Sequence, residues 1–309
     1  MQIEILGSAA GGGFPQWNCN CANCRSVRAG AFRGKSRTQT QVAVSNDDAS
    51  WFLLNASPDL RLQIEACQPL HPRSSGRHSL ISGVLLTGAD LDQITGLLSL
   101  RELQPFRIYC TPSIRSILQK QNNVFAMLNR VPAQVEWAEI KPGESFPLQA
   151  TSGNESGLHC EVFSIGSRYP VYVSREQVSG LVHEEASLGV IIESASGKRL
   201  AYLPAVPALD GLLLRRIETA DVLLFDGTFW SDDELIRVQG SGATAREMGH
   251  IPVSGANGSL QMLAGLRRPR KIFIHVNNTN PMLDESSPEY REVRASGWEI
   301  AEDGWRLDL

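Results

Sequence analysis

The sequence predicts an α/β protein, and three observations carry the prediction. Short apolar runs of strand length alternate with segments whose apolar residues recur at helical spacing. Several of those runs stop abruptly at polar clusters, as parallel strands do where they feed ligand-binding loops. The elements repeat a coarse order of hairpins, then α/β units, then hairpins, then α/β units. No low-complexity linker or solenoid-period repeat interrupts them, so one domain over residues 1–309 is expected.

Residues 2–6 alternate in apolar character and suit a first strand, followed by the glycine-rich loop Gly7–Gly13. A dinucleotide fingerprint is excluded there because Pro15 and cysteines follow where its helix would begin, so the loop is read as backbone lining a cavity. Residues 40–46 and 50–55 form a hairpin around Asn46-Asp47-Asp48. Ser57 as N-cap, Pro58 and Asp59 then start a helix that runs to about Cys67. A polar loop at 71–79 leads to a buried strand at 81–86, and Leu97, Leu98, Leu100 and Leu103 give residues 93–103 a helical apolar side. A strand at 106–110 and helices near 112–121 and 123–130 follow. The middle third is strand-rich (134–140, 145–150, 158–165, 187–194, 198–203), with exposed loops at 151–157 and 174–186. The α/β rhythm resumes with a helix over 207–218, a strand at 221–225, a helix at 255–266 and a strand at 271–275.

Composition bounds the function. With 42% hydrophobic and 20% charged residues the chain is an ordinary globular protein. A net charge of −4 offers no basic footprint for nucleic acid. No stretch nears the roughly 20 apolar residues of a membrane span, and Glu4 stands where a signal peptide wants a base, so a cytoplasmic protein without membrane insertion is expected. Of the six cysteines, Cys19, Cys21 and Cys24 form a C-x-C-x-x-C cluster whose thiolates suit a structural zinc. Its fourth ligand is left open among His275, His250 and a polar side chain in 277–284. Cys67, Cys110 and Cys160 read as small buried hydrophobes, and His71, His78, His159 and His183 as surface residues. Three strand ends carry the remaining chemistry: Thr87 to Gln93, Asp226-Gly227-Thr228, and His275 to Pro281.

Thr87-Gly88-Ala89-Asp90-Leu91-Asp92-Gln93 stands where metallo-β-lactamase-fold proteins carry T-H-x-H-x-D-H, and Asp226 to Phe229, Met248-Gly249-His250 and His275 resemble the same superfamily. More narrowly, five segments resemble the pyrroloquinoline quinone (PQQ) biosynthesis B family. They are Gly7–Cys21 (GSAAGGGFPQWNCNC), Asn55–Asp59 (NASPD), Thr95–Glu102 (TGLLSLRE), Arg246–His250 (REMGH) and His275–Pro281 (HVNNTNP). The resemblance implies a four-layer αββα sandwich, two mixed β-sheets flanked by helices, with a cysteine-rich metal loop at about residues 17–25. It also implies a place in PQQ synthesis, in one of two roles. One is hydroxylation of a tyrosine-derived precursor by mononuclear iron and O₂. The other is a non-catalytic carrier that moves PQQ or its precursor toward the periplasm.

The departures from the superfamily pattern matter. Gly88, Asp90 and Gln93 replace histidines, and Leu203-Pro204-Ala205 stands where a bridging aspartate is usual, which excludes two-metal hydrolysis. The expected site comprises Asp92, His250 and His275 as catalytic groups, with Asp92, Gln93 and His275 holding Fe(II) and Asp90 as an additional carboxylate. His250 is the expected proton shuttle. Arg101, Asn277 and Asn278 are expected to contact a small-molecule or short-peptide PQQ precursor, and other PQQ-pathway proteins are the expected partners. Arg101 pairing with Glu102 is the alternative for that arginine.

Overall fold

In a computed structural model, all residues 1–309 are described. The strands in chain order are β1 (Gln2–Gly7), β2 (Gln41–Ser45), β3 (Trp51–Leu54), β4 (Ile81–Leu85), β5 (Phe106–Cys110), β6 (Val135–Glu139), β7 (Ser145–Gln149), β8 (Glu155–Gly166), β9 (Ser187–Ser194), β10 (Arg199–Leu203), β11 (Val222–Asp226), β12 (Arg270–Ile274), β13 (Trp298–Ile300) and β14 (Trp305–Asp308). They form two seven-stranded sheets, ordered β14-β1-β2-β3-β4-β5-β6 and β13-β12-β11-β10-β9-β8-β7. Both are mixed. β2 and β3 pair antiparallel with Val42 opposite Leu54, whereas β3 to β6 run parallel. β7 to β9 are antiparallel and β10 to β13 parallel. The expected α/β class with two mixed sheets and flanking helices is what the chain adopts.

The chain divides into two compact units: residues 1–6, 41–198 and 304–309, and residues 7–40 and 199–303. In the first, every side chain of β3 is buried, so the run Trp-Phe-Leu-Leu reads as continuous rather than alternating, as in a strand covered on both faces. Its core gathers Trp51, Leu53, Leu60, Val84, Ile94 and Ile108. Each such side chain contributes about 1.5–3 kcal/mol by leaving water. In the second unit the core is aromatic. Phe273 stacks on Trp298 with ring centres 4.1 Å apart, and Phe225 meets the same indole edge-on. No helix is long and apolar enough to cross a membrane.

Local departures from expectation have visible causes. The helix after Ser57 begins only at Leu60, because the Ser57 hydroxyl accepts the Asp59 N–H and its carbonyl the Leu60 N–H, closing a turn first. The helix expected over 93–103 is Leu91–Ile94 followed by a 3₁₀ segment, Thr95–Leu100. There the Gly96 N–H bonds the Ala56 carbonyl, and a Cβ on Gly96 would lie 2.2 Å from the Ser57 oxygen, so the chain is drawn out of α register. The helix expected at 255–266 shrinks to Ser259–Met262 because Gly255 (φ +89°) and Gly258 make a turn before it. The stretch 174–186 is not all loop: a Ser174–Gln177 capping box starts a short helix, Arg175–Val178. His159 and His183 are exposed and His71 and His78 half-buried, while Cys67, Cys110 and Cys160 are buried.

Candidate functional site

Two parallel strands of the second unit end side by side, β11 at Asp226 and β12 at Ile274. The turn after β11 requires Gly227, since a Cβ there would lie 2.8 Å from that of Phe273. His275 leaves β12 with φ +60°, a left-handed conformation that a non-glycine residue holds only when its surroundings fix it.

One of the groups that hold it is the Thr228 hydroxyl. Asp226 is fully buried, and four donors meet its carboxylate. Oδ2 accepts the Val206 N–H (2.8 Å) and the His250 Nδ1–H (2.8 Å); Oδ1 accepts the Thr228 N–H (3.0 Å) and the Thr228 hydroxyl (2.6 Å). An ionised carboxylate has about four acceptor positions, so Asp226 is saturated and acts as an orienter. With its proton given to Asp226, Thr228 Oγ1 has only lone pairs to offer, and it accepts from His275 Nδ1 at 2.8 Å. His250 Nδ1 also lies 3.1 Å from that oxygen. Both imidazoles are therefore protonated on Nδ1, which puts the neutral lone pair of each on Nε2. Their rings stack 5.5 Å apart at 20°, with Phe229 edge-on to His250. Burial alone would push the Asp226 carboxyl up, but its interactions with His250, the neighbouring His275 and the Thr228 hydroxyl together hold it below the usual range. Ligand-type atoms of Asp226, His250 and His275 all lie within 4.8 Å of one another, although the Asp226 carboxylate already meets four donors.

The second cluster lies in the same unit. Cys19, Cys21 and Cys24 bring their sulfurs within 4.8 Å of one another. Cys21 caps the helix Ala22–Arg28, its sulfur accepting the Cys24 N–H, and Cys19 Sγ accepts the Cys21 N–H. The Arg28 guanidinium clamps the loop through the carbonyls of Cys19 and Gln16. Burial pushes the Cys21 thiol up to about 11, and the neighbouring Cys19 and Cys24 thiols add to the rise. The Asn278 amide sits over all three sulfurs, its Nδ2 at 3.1, 3.7 and 3.3 Å from those of Cys19, Cys21 and Cys24. Of the candidates for a fourth ligand, His250 and His275 are engaged with Asp226 and Thr228, and Asn278 is the side chain at the sulfurs. The donor set fits a tetrahedral ion: three sulfurs and an amide whose half-turn would present its oxygen. Asn277, expected beside Asn278 as a substrate contact, turns its amide to Thr279 Oγ1 at 2.5 Å.

In the first unit, Asn55 (φ +68°) binds the Thr87 N–H and hydroxyl and so shapes the loop after β4. Asp90 is exposed and Asp92 half-buried, in the first turn of the helix Leu91–Ile94. Gln93 is buried, and its Oε1 has no hydrogen-bond donor. That oxygen lies 2.3 Å from where a Cβ of Gly88 would be, so the two residues occupy one space and a histidine at 88 is incompatible with this Gln93 rotamer. Arg101 is exposed, bonding the Leu98 carbonyl and lying 3.7 Å from Glu102. Asp92, Gln93, Asp90 and Arg101 thus belong to the first unit, and His250, His275, Asn277, Asn278, Cys19, Cys21 and Cys24 to the second.

Sequence reasoning singled out the strand end Asp226-Gly227-Thr228 but gave neither Asp226 nor Thr228 a role. Their strand-end position was the available signal, but the hydroxyl's bridging of two histidines has none.

Comparison with known proteins gives consistent findings. Residues 50–276 match the family model described as a beta-lactamase superfamily domain. The chain is 44% identical over 309 residues to a coenzyme PQQ synthesis protein B of Methylorubrum extorquens and 42% identical over 310 residues to one of Pseudomonas putida, with 100% of each chain covered in both comparisons. The 1.98 Å crystal structure of Zn²⁺-bound PqqB from Methylobacterium extorquens superposes with a TM-score of 0.91 at 43% identity, covering 100% of both chains. The short form of human tRNase Z, at 15% identity and TM-score 0.56 over 100% of this chain and 99% of that one, shares the fold alone.

Proposed function

The chain belongs to the coenzyme PQQ synthesis protein B family of the metallo-β-lactamase fold, and from that premise we propose that it hydroxylates a tyrosine-derived PQQ precursor with O₂ and Fe(II). The observation that carries the reading is the Thr228 hydroxyl, which fixes the tautomer of both histidines and leaves Nε2 as the working nitrogen of each. His275 is proposed as a metal ligand through Nε2. Within the first unit, Asp92 and Gln93 are proposed as oxygen donors on the strength of the family resemblance, and the buried Gln93 Oε1 meets no hydrogen-bond donor. Asp90 is an additional carboxylate beside them.

Bound Fe(II) would supply the redox chemistry by which O₂ is reduced. His250 moves the protons: Asp226 holds its Nδ1–H, so Nε2 takes a proton from the ring position being oxidised and returns it. In balance, one oxygen atom of O₂ becomes the new ring hydroxyl and the other leaves as water, with two electrons and two protons from an external reductant. Arg101 and Asn277 are proposed to meet the precursor's polar groups. A structural zinc is proposed at Cys19, Cys21 and Cys24 with Asn278, where it would neutralise gathered thiolates and pin the amino-terminal loop.

One observation favours a second reading, a carrier for PQQ or its precursor. Gln93 supplies an amide oxygen where relatives of the superfamily supply an imidazole, a weaker ligand for Fe(II). Metal analysis of protein purified without oxygen separates the two. The enzyme reading expects zinc that survives chelation plus a second transition metal that a chelator removes without unfolding the chain. Zinc alone, with tight binding of the precursor, would support the carrier.

A further inference from the structure

The six residues His275–Asn280 form one loop that serves both clusters of the second unit: His275 stands at its start against Thr228, and Asn278 in its middle over the three sulfurs. The ends of this loop are tied by backbone. Val276 exchanges hydrogen bonds with Ser8 and Ala10, the Asn277 N–H bonds the Thr228 carbonyl, and the Asn280 amide bonds the carbonyls of Gly227 and Thr228. Asn23, from the helix that follows the cysteines, donates to the carbonyls of Asn278 and Asn280. Between those ties the loop is gripped by a buried carboxylate that neither the sequence nor the proposed reaction uses. Glu234 is 5% exposed; its Oε1 accepts the Thr279 hydroxyl at 2.5 Å and its Oε2 the Trp230 N–H at 2.6 Å. Thr279 Oγ1 in turn accepts from the Asn277 amide.

A carboxylate so enclosed is costly to bury, and a neutral side chain would fill the same volume at less cost. Its position is informative: it holds the one residue of the loop, Thr279, that directly follows Asn278 and lies four residues from His275. We infer that Glu234 is a positioning residue which, through Thr279, couples the cysteine cluster to the His250–His275 pair by fixing the loop between them. A disturbance of the grip then reaches both ends of the loop at once. The inference rests on the zinc reading of the cysteine cluster for one of its two readouts only.

The test uses the full-length, zinc-loaded protein and the variants Glu234→Gln, Thr279→Val, Thr279→Ser and the double variant Glu234→Gln/Thr279→Val. Glutamine retains one acceptor where the glutamate supplies two, so it keeps the volume and breaks one of the two bonds. The first readout is the rate of zinc transfer to a chromogenic chelator. The second is the ¹⁵N shift pair of the His275 imidazole, which reports its tautomer. Glu234→Gln and Thr279→Val are each expected to speed zinc release on the order of tenfold and to mix the His275 tautomers. The double variant is expected to do no more than either single one, and Thr279→Ser, which keeps the hydroxyl, to follow the unsubstituted protein. Variants that melt earlier yet release zinc at the original rate with an unchanged His275 tautomer would overturn the inference, as would strictly additive effects. If the unsubstituted protein takes up no zinc, the metal reading of the cysteines is what has failed. The imidazole signals then decide the coupling alone.

Discussion

Thr228→Val keeps the shape of the side chain and removes a single oxygen atom, and the structure says what that atom holds. Two bonds disappear, together with the longer 3.1 Å contact to His250 Nδ1. The charge-assisted one to Asp226 Oδ1 (2.6 Å) is worth about 1.5–3 kcal/mol, although Oδ1 keeps the Thr228 N–H. The other is the acceptor for His275 Nδ1, whose loss leaves a largely buried donor at a cost of about 1–3 kcal/mol. A total destabilisation of about 2.5–6 kcal/mol is expected, which lowers Tm by roughly 4–9 °C in a protein of this size. Thr228→Ser, retaining the oxygen, should recover most of it. The stability effect is read from thermal or urea unfolding and the local effect from imidazole ¹⁵N shifts, where His275 should lose its fixed Nδ1–H tautomer. Removal of a group that orients a metal-binding histidine also costs typically 10–100-fold in metal affinity. If the valine variant melts within about 1 °C of the parent and His275 keeps its tautomer, the hydroxyl does not organise the histidine pair and the reasoning behind the site is wrong.

Three further outcomes are expected. Cys24→Ala should remove the tightly held zinc from the purified protein without emptying a second, chelator-accessible metal, which elemental analysis checks; loss of both metals together would contradict the division of roles. Gly96→Ala places a methyl 2.2 Å from the backbone oxygen of Ser57, which cannot step aside as a side-chain tip would, so destabilisation of about 1–3 kcal/mol or more should appear in urea unfolding. Glu234 gives a pH signature. Burial pushes its carboxyl up to about 7 from 4.5, so the folded state holds this proton more tightly than the unfolded chain. Its contribution to stability is therefore full below about pH 4.5 and declines as pH rises toward 7, with a ceiling of about 3 kcal/mol. Glu234→Gln should flatten that decline; an unchanged pH dependence of urea unfolding would show that Glu234 does not carry the proton.

Much of this arrangement is legible in the chain, and the illegible parts share a cause. The run Val222-Leu223-Leu224-Phe225 closing on Asp226 and the run before His275 announce buried parallel strands whose ends carry polar groups. The cysteine spacing announces a metal loop. What those residues touch is decided by contacts far apart in sequence. Thr228 reaches His275 across 47 positions and Glu234 reaches Thr279 across 45, and neither leaves a local trace. The same holds for β14, whose only partner is β1 at the opposite end of the chain. The helix Ala22–Arg28 escaped notice because its cap is a cysteine sulfur rather than a hydroxyl or carboxylate. By contrast, the helix Pro288–Ala295 carried an ordinary signal, Ser287 as cap followed by Pro288 and Glu289, and was readable in principle.

The measurement that bears most directly on the account is turnover under ¹⁸O₂. Protein loaded anaerobically with Fe(II) is mixed with a tyrosine-derived PQQ precursor and a chemical reductant, exposed to the labelled gas, and the product weighed by mass spectrometry. The account predicts a product carrying one labelled oxygen on the ring, formed far more slowly by His275→Ala. A precursor recovered unlabelled and unchanged, although bound by the same iron-loaded protein, would contradict it and leave the chain a carrier.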